Sequence, residues 1–93
     1  MDYVKYRDQR LRDDPELARA YEQETLKREI GRQILRLRQL RGWTQTELAE
    51  ALNTKQSAVA RLEGGTHRPS LATLDKISQI LDARLEVRLT PQG

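Results

Sequence analysis

The sequence predicts an all-α fold, a small helical bundle with an N-terminal helical extension and a short C-terminal β-strand. Three observations carry this expectation. Leu and Ile recur three or four residues apart through most of residues 24–81, the spacing of an amphipathic helix. Strict alternation of apolar and polar residues occurs at Leu85, Val87 and Leu89, the spacing of a strand. Aromatic residues are scarce and Phe is missing, so the core must be built from Leu, Ile, Val and Ala, which suits packed helices. At 93 residues the chain is one domain with room for a single small core.

Taken in order, residues 1–12 alternate charges around Tyr3, Val4, Tyr6 and Leu11, and are expected to be flexible in isolation. Asp14-Pro15-Glu16 is a start signal, an acidic cap followed by proline and an acid in the first turn. A short helix is expected from Pro15 to Glu22 or Gln23, with Leu17, Ala18, Ala20 and Tyr21 as a narrow docking stripe. A longer one should span Glu24 to Arg41 and bury Leu26, Ile30, Ile34, Leu37 and Leu40. Gly42 ends it, and Trp43 packs as a core residue. The reading thus divides the chain into an extension at 1–24, a bundle at 25–82 and a strand and tail at 83–93.

Two short helices joined by a tight turn follow. Thr44 and Glu47 form the S/T-x-x-E capping box, so a helix begins there and buries Leu48, Ala49 and Leu52. Asn53 ends it, because the reversal needs a left-handed backbone and Asn reaches that region more cheaply than any residue but glycine. The next helix starts near Lys55 or Gln56 with Thr54 as its cap. It buries Val59 and Leu62 and turns Gln56, Ser57, Ala60 and Arg61 elsewhere. Each of these taken singly reads as part of a solvated face. Together they offer an amide, a hydroxyl, a small residue and a guanidinium on one open face, and Gln and Arg bond base edges bidentately in a DNA major groove.

The loop Gly64-Gly65-Thr66-His67-Arg68-Pro69 is turn-rich, and its Thr66, His67 and Arg68 are suited to bonding phosphate. Ser70 caps a last helix whose buried face is Leu71, Leu74, Ile77, Ile80 and Leu81. The strand then runs from Arg84 to Thr90 and stops at Pro91. Having no recognised partner strand in the chain, it is expected to pair with another copy, with another protein or with a further segment whose pattern does not mark it as a strand.

Thr-Gln-x-x-Leu-Ala at Thr44–Ala49, Gln-Ser-x-Val-x-Arg-Leu-Glu-x-Gly from Gln56 and Pro-Ser-x-x-Thr-Leu from Pro69 together resemble the Xre/Cro family of phage-repressor-like domains. The match covers roughly Leu26 to Asp82. Where the family commonly has Gly in the turn, this chain has Asn53, a mild departure by the backbone argument above. The resemblance implies a lambda-repressor-like helix-turn-helix bundle that binds double-stranded operator DNA as a homodimer. It further implies that Gln56, Ser57 and Arg61 face base edges and that Ala60 meets a thymine methyl. Thr44, Gln45, Lys55, Thr66 and Arg68 would hold phosphates, and Arg38 and Glu63 would form an internal ion pair behind the reading helix. Leu85, Val87 and Leu89 would form the dimer strand.

The N-terminal Tyr-x-x-Asp-Pro-Glu-Leu-x-x-x-Tyr-type segment and the final Leu-Glu-Val-x-Leu are similar to those of HigA-type antitoxins, which repress their own operon and bind an mRNA-cleaving toxin of the RelE/HigB superfamily. That similarity implies toxin contacts at Tyr3, Tyr6, Leu11, Leu17 and Tyr21. A stand-alone Xre-type dimeric repressor and a protein-interaction module that binds no DNA are the alternatives.

Charge agrees with a nucleic-acid partner for the bundle. Lys and Arg number 7 against 8 Asp and Glu in residues 1–30, but 10 against 6 in residues 31–93. With no Cys and one His, His67, no metal-ligand set is expected, and no cofactor. No nucleophile stands beside a base and no glycine loop cradles phosphate after a strand, so enzyme classes are set aside. No apolar run approaches the roughly 20 residues of a membrane span, and a cytoplasmic protein is the expectation.

Overall fold

The structure, a computed structural model, describes residues 3–92, with side chains from Tyr6 onward. The described residues form five helices: α1 (Tyr3–Asp13), α2 (Pro15–Leu40), α3 (Gln45–Ala51), α4 (Gln56–Glu63) and α5 (Leu71–Ile80). The core is Ile34, Leu48, Ala49, Leu52, Val59, Leu62, Ile77 and Leu81, with Ile30, Leu37, Trp43, Leu74 and Ile80 packed against it. It is the expected Leu, Ile, Val and Ala core, and it sits where α2, α3, α4 and α5 meet.

Several boundaries differ from the expectation. Residues 3–13, expected to be flexible, form α1. The helix that starts at Pro15, with Asp14 Oδ1 accepting from the Leu17 N–H at 3.1 Å, does not stop at Gln23 but continues to Leu40. A change of apolar stripe does not end a helix, and Glu22-Gln23-Glu24-Thr25 contains neither Gly nor Pro to break it. At about 1.5 Å per residue α2 is about 39 Å long, close to the 44 Å long axis of the molecule. Its first half therefore extends beyond the bundle. Leu26, expected in the buried stripe, is exposed for this reason, and Leu40, also expected there, is exposed as the last residue of α2. Leu71 is also exposed, at the first turn of α5.

The predicted C-terminal strand is absent among the described residues, and 83–92 follow α5 without regular structure. A strand exists only as a hydrogen-bonded pair, and this chain offers the segment no second one. Residues 83–87 instead line an apolar groove of about 870 Å³ between α2 and α5, with Leu26, Ile30, Leu37, Leu71 and Leu74 among its walls. No helix among the described residues is long and apolar enough to cross a membrane.

Candidate nucleic-acid interface

The interface is built on the α3–turn–α4 unit. Thr44 Oγ1 accepts from the Glu47 N–H at 3.1 Å while Glu47 Oε1 accepts from the Thr44 N–H at 2.9 Å, so the capping box closes reciprocally as the spacing predicts. Asn53 has φ 57°, the left-handed conformation expected of it, and its turn is closed by Thr54 N–H donating to Ala49 O at 2.9 Å. The cap of α4 is Lys55, not Thr54, and Lys55 makes no side-chain cap bond. Lys76 on α5 holds the turn from behind, its Nζ donating to Leu52 O at 3.2 Å.

Leu48 and Val59, each 0% exposed, fix the two helices against each other. With Val59 and Leu62 facing inward, Gln56, Ser57 and Arg61 are exposed on α4 and Ala60 is half-buried. The four residues expected to meet bases thus share one outward region. Thr44, Lys55, Thr66 and Arg68 are exposed around it, and Gln45 is half-buried. Thr66 also closes the end of α4, since its N–H and Oγ1 both donate to Arg61 O, at 3.1 and 3.2 Å.

Behind this face lies the ion pair expected from positions 38 and 63. Arg38 donates from Nε to Glu63 Oε2 at 2.6 Å and from Nη2 to Glu63 Oε1 at 2.9 Å, a bidentate pair with side chains 11% and 2% exposed. Its third arm, Nη1, donates to Trp43 O at 2.7 Å. The hydrogen bonds to Glu63 hold the Arg38 guanidinium above its ordinary pKa, outweighing the opposing effect of burial, with charge attraction adding to them. Gln45 joins the pair: its Nε2 donates to Glu63 Oε1 at 3.0 Å and its Oε1 accepts from Gln56 Nε2 at 2.6 Å. Its amide, expected to meet a phosphate, is engaged at both ends by protein.

The expectation missed Gly31. A Cβ there would collide with the Leu62 carbonyl oxygen and lie 2.7 Å from that of Glu63, so α2 crosses the end of α4 at backbone contact. The signal was present: glycine in the interior of Glu29-Ile30-Gly31-Arg32 weakens a helix and needs a packing reason. Gly65 has a similar role, with φ 75° and its absent Cβ 2.9 Å from Arg28 Cα.

Away from this interface, Tyr6 and Tyr21 are exposed and Leu11 on α1 and Leu17 on α2 are half-buried, and the Arg7 guanidinium lies 5.4 Å from the Tyr21 ring centre. Tyr3, also expected at a partner surface, has its side chain outside the described residues. Leu85 is half-buried, while Val87 and Leu89 are 67% and 93% exposed.

An exposed second helix held by a capped first helix, a left-handed turn and a buried ion pair defines a helix-turn-helix protein. The chain belongs to the helix-turn-helix family whose model matches residues 34–87. It is similar to the antitoxin HipB of Escherichia coli O6:H1, 41% identical over 50% of this chain and 49% of that protein. It is also similar to the transcriptional regulator SutR of Escherichia coli K12, 32% identical over 73% of this chain and 38% of that protein. The chain therefore spans half or less of the length of these two relatives.

Among solved structures it resembles the restriction-modification controller protein C.AhdI from Aeromonas hydrophila, with a TM-score of 0.62 and 26% identity over 66% of this chain and 88% of that one. A helix-turn-helix transcriptional regulator from Vibrio cholerae also has a TM-score of 0.62, at 29% identity over 67% of this chain and 35% of that one.

Proposed function

We propose that the protein is a DNA-binding antitoxin that represses its own operon as a homodimer and neutralises a toxin. The observation that carries the DNA half is the open α4 face, where Gln56, Ser57 and Arg61 are exposed while the opposite side of the same helix is core. In this reading α4 enters the major groove, these three side chains bond base edges, and Ala60 meets a thymine methyl. Thr44, Lys55, Thr66 and Arg68 hold flanking phosphates, joined by the backbone N–H of Gln45 at the start of α3. Two copies pair to read half-sites roughly 34 Å apart.

The antitoxin half is supported by the name of the HipB relatives and by a surface separate from α4. On that surface Tyr6 and Tyr21 are exposed beside Leu11 and Leu17, a set of anchors suited to a protein partner. The proposed partner is a toxin of the RelE/HigB superfamily, by the HigA-like terminal segments. For the dimer, Leu85, Val87 and Leu89 pair with the same segment of a second copy, which supplies the strand partner that one chain lacks.

The test is co-expression with the neighbouring open reading frame. Co-purification, and a shift of their own promoter DNA that weakens with salt, are expected. The similarity to SutR favours a stand-alone repressor as the second reading. Promoter binding with no co-purifying neighbour would select it. Sequence-blind, salt-insensitive binding would sink the DNA half.

A further inference from the structure

Three acceptor and donor relations run from the centre of the domain to the open face, and their chemistry permits only one direction. Glu63 lies at the buried end, 2% exposed, and as a carboxylate it only accepts. Arg38, which takes both its oxygens, only donates. Gln45 at 3.0 Å from Glu63 Oε1 must therefore turn its NH₂ inward. Its carbonyl is then forced outward, and Gln56, 2.6 Å away, must present its own NH₂ in turn. A glutamine amide has nearly the same shape either way round, so without this chain Gln56 could turn either end to a ligand.

The orientation changes what Gln56 has left to offer. One of its two N–H donors is used by Gln45, leaving one donor and one carbonyl acceptor. In the major groove adenine presents one acceptor, N7, and one donor, N6–H₂, whereas guanine presents two acceptors, N7 and O6. The remainder matches adenine and opposes guanine with an unpaired carbonyl.

We propose that Glu63 is a positioning residue for base discrimination, acting through Gln45 to set the amide of Gln56 for adenine and against guanine. The inference rests on the reading of α4 as the base-reading helix. In it the Arg38–Glu63 pair is more than a brace: both Glu63 oxygens accept from Arg38, one of them accepts from Gln45 as well, and the preference is written two residues away at the surface.

The test is selection of duplexes from a randomised double-stranded DNA pool by the full-length chain and its variants, read by sequencing. The wild-type chain is expected to select adenine over guanine by about ten-fold or more at one position of each half-site, and Gln56→Ala to lose that preference. Glu63→Gln, whose amide can donate as well as accept, is expected to lose most of the adenine preference there while keeping the preference that depends on Arg61. Gln45→Met breaks the relay without touching the Arg38–Glu63 pair and is expected to do the same, so it decides the matter if Glu63→Gln does not fold.

Retention of the adenine preference by Gln45→Met while Gln56→Ala loses it overturns the relay and leaves the groove reading intact. A uniform loss of affinity in folded Glu63→Gln, with the preference unchanged, also overturns it. If the wild-type chain enriches no sequence, or Gln56→Ala changes no preference, the groove reading itself fails.

Discussion

Arg61 and Lys55 are both cations on α4 or its cap, yet their places predict different phenotypes. Arg61 stands on the outward face of the helix, so Arg61→Ala should relax preference at about one base pair, costing on the order of 1–3 kcal/mol in binding to the best site. Lys55 stands at the rim, so Lys55→Ala should weaken all sequences alike and flatten the salt dependence by about one charge. Binding titrations over a salt series on matched and mismatched duplexes separate the two, and equal, uniform losses would remove the groove-reading assignment. Beneath them, Arg38→Met leaves the Glu63 carboxylate, 2% exposed, without its counter-charge. A destabilisation of about 3 kcal/mol is expected in urea denaturation. A pKa raised in the folded state adds stability that is whole below the unfolded value and is lost as pH climbs through the folded one. The contribution of Arg38 is therefore level through neutral pH and fades only in strong alkali, above the ordinary range of a guanidinium. Gly31 is the most sensitive small residue. Gly31→Ala gains helix propensity but drives a methyl into the Leu62 and Glu63 carbonyls, so the net effect should be a loss of about 1–3 kcal/mol in the same measurement.

At the scale of elements, the α3–turn–α4 unit was legible because every one of its signals is local. The capping box needs Thr44 and Glu47 alone, and the turn needs Asn53 to reach φ 57°. The unbroken course of α2 through its middle was not legible, since helix continuation depends on the absence of a breaker and not on a continuous stripe. The C-terminal segment shows the opposite limit: alternation states a preference, and pairing needs a second strand. Its charge order nevertheless specifies a register. Antiparallel pairing of two copies about Val87 sets Leu85 opposite Leu89 and Glu86 opposite Arg88, each twice, whereas a slip of two residues that places Glu86 opposite itself also brings Arg84 against Arg88. Glu86→Lys should accordingly weaken the dimer, and the charge-swapped Glu86→Lys/Arg88→Glu chain should recover it, as read by analytical ultracentrifugation. Equal dimer strength in all three chains would exclude this register. Within one chain Glu86 bonds Arg84 Nη2 at 2.8 Å, but both side chains are largely exposed and the pair offers little competition.

At the scale of the molecule, the proposed DNA and toxin surfaces use different side chains, so they should be separable. Tyr6→Glu/Tyr21→Glu, placed on exposed positions of α1 and α2, should abolish co-purification with the neighbouring gene product while leaving the promoter shift intact. Loss of both together would merge the two surfaces into one. By itself the sequence determined the all-helical class, the helix-turn-helix unit with the capping box of α3 and its turn, the identity of most core residues and the outward set Gln56, Ser57 and Arg61. These follow from periodicity and from capping chemistry, which act over three or four residues. Tertiary structure alone decided where α2 stops burying its stripe, why Gly31 has no side chain, and that Gln45 and Gln56 join a chain of hydrogen bonds ending on Glu63. Those outcomes depend on which backbones and side chains meet across the core, 18 residues apart for Gln45 and Glu63 and 25 for Arg38 and Glu63, and no local pattern encodes the meeting.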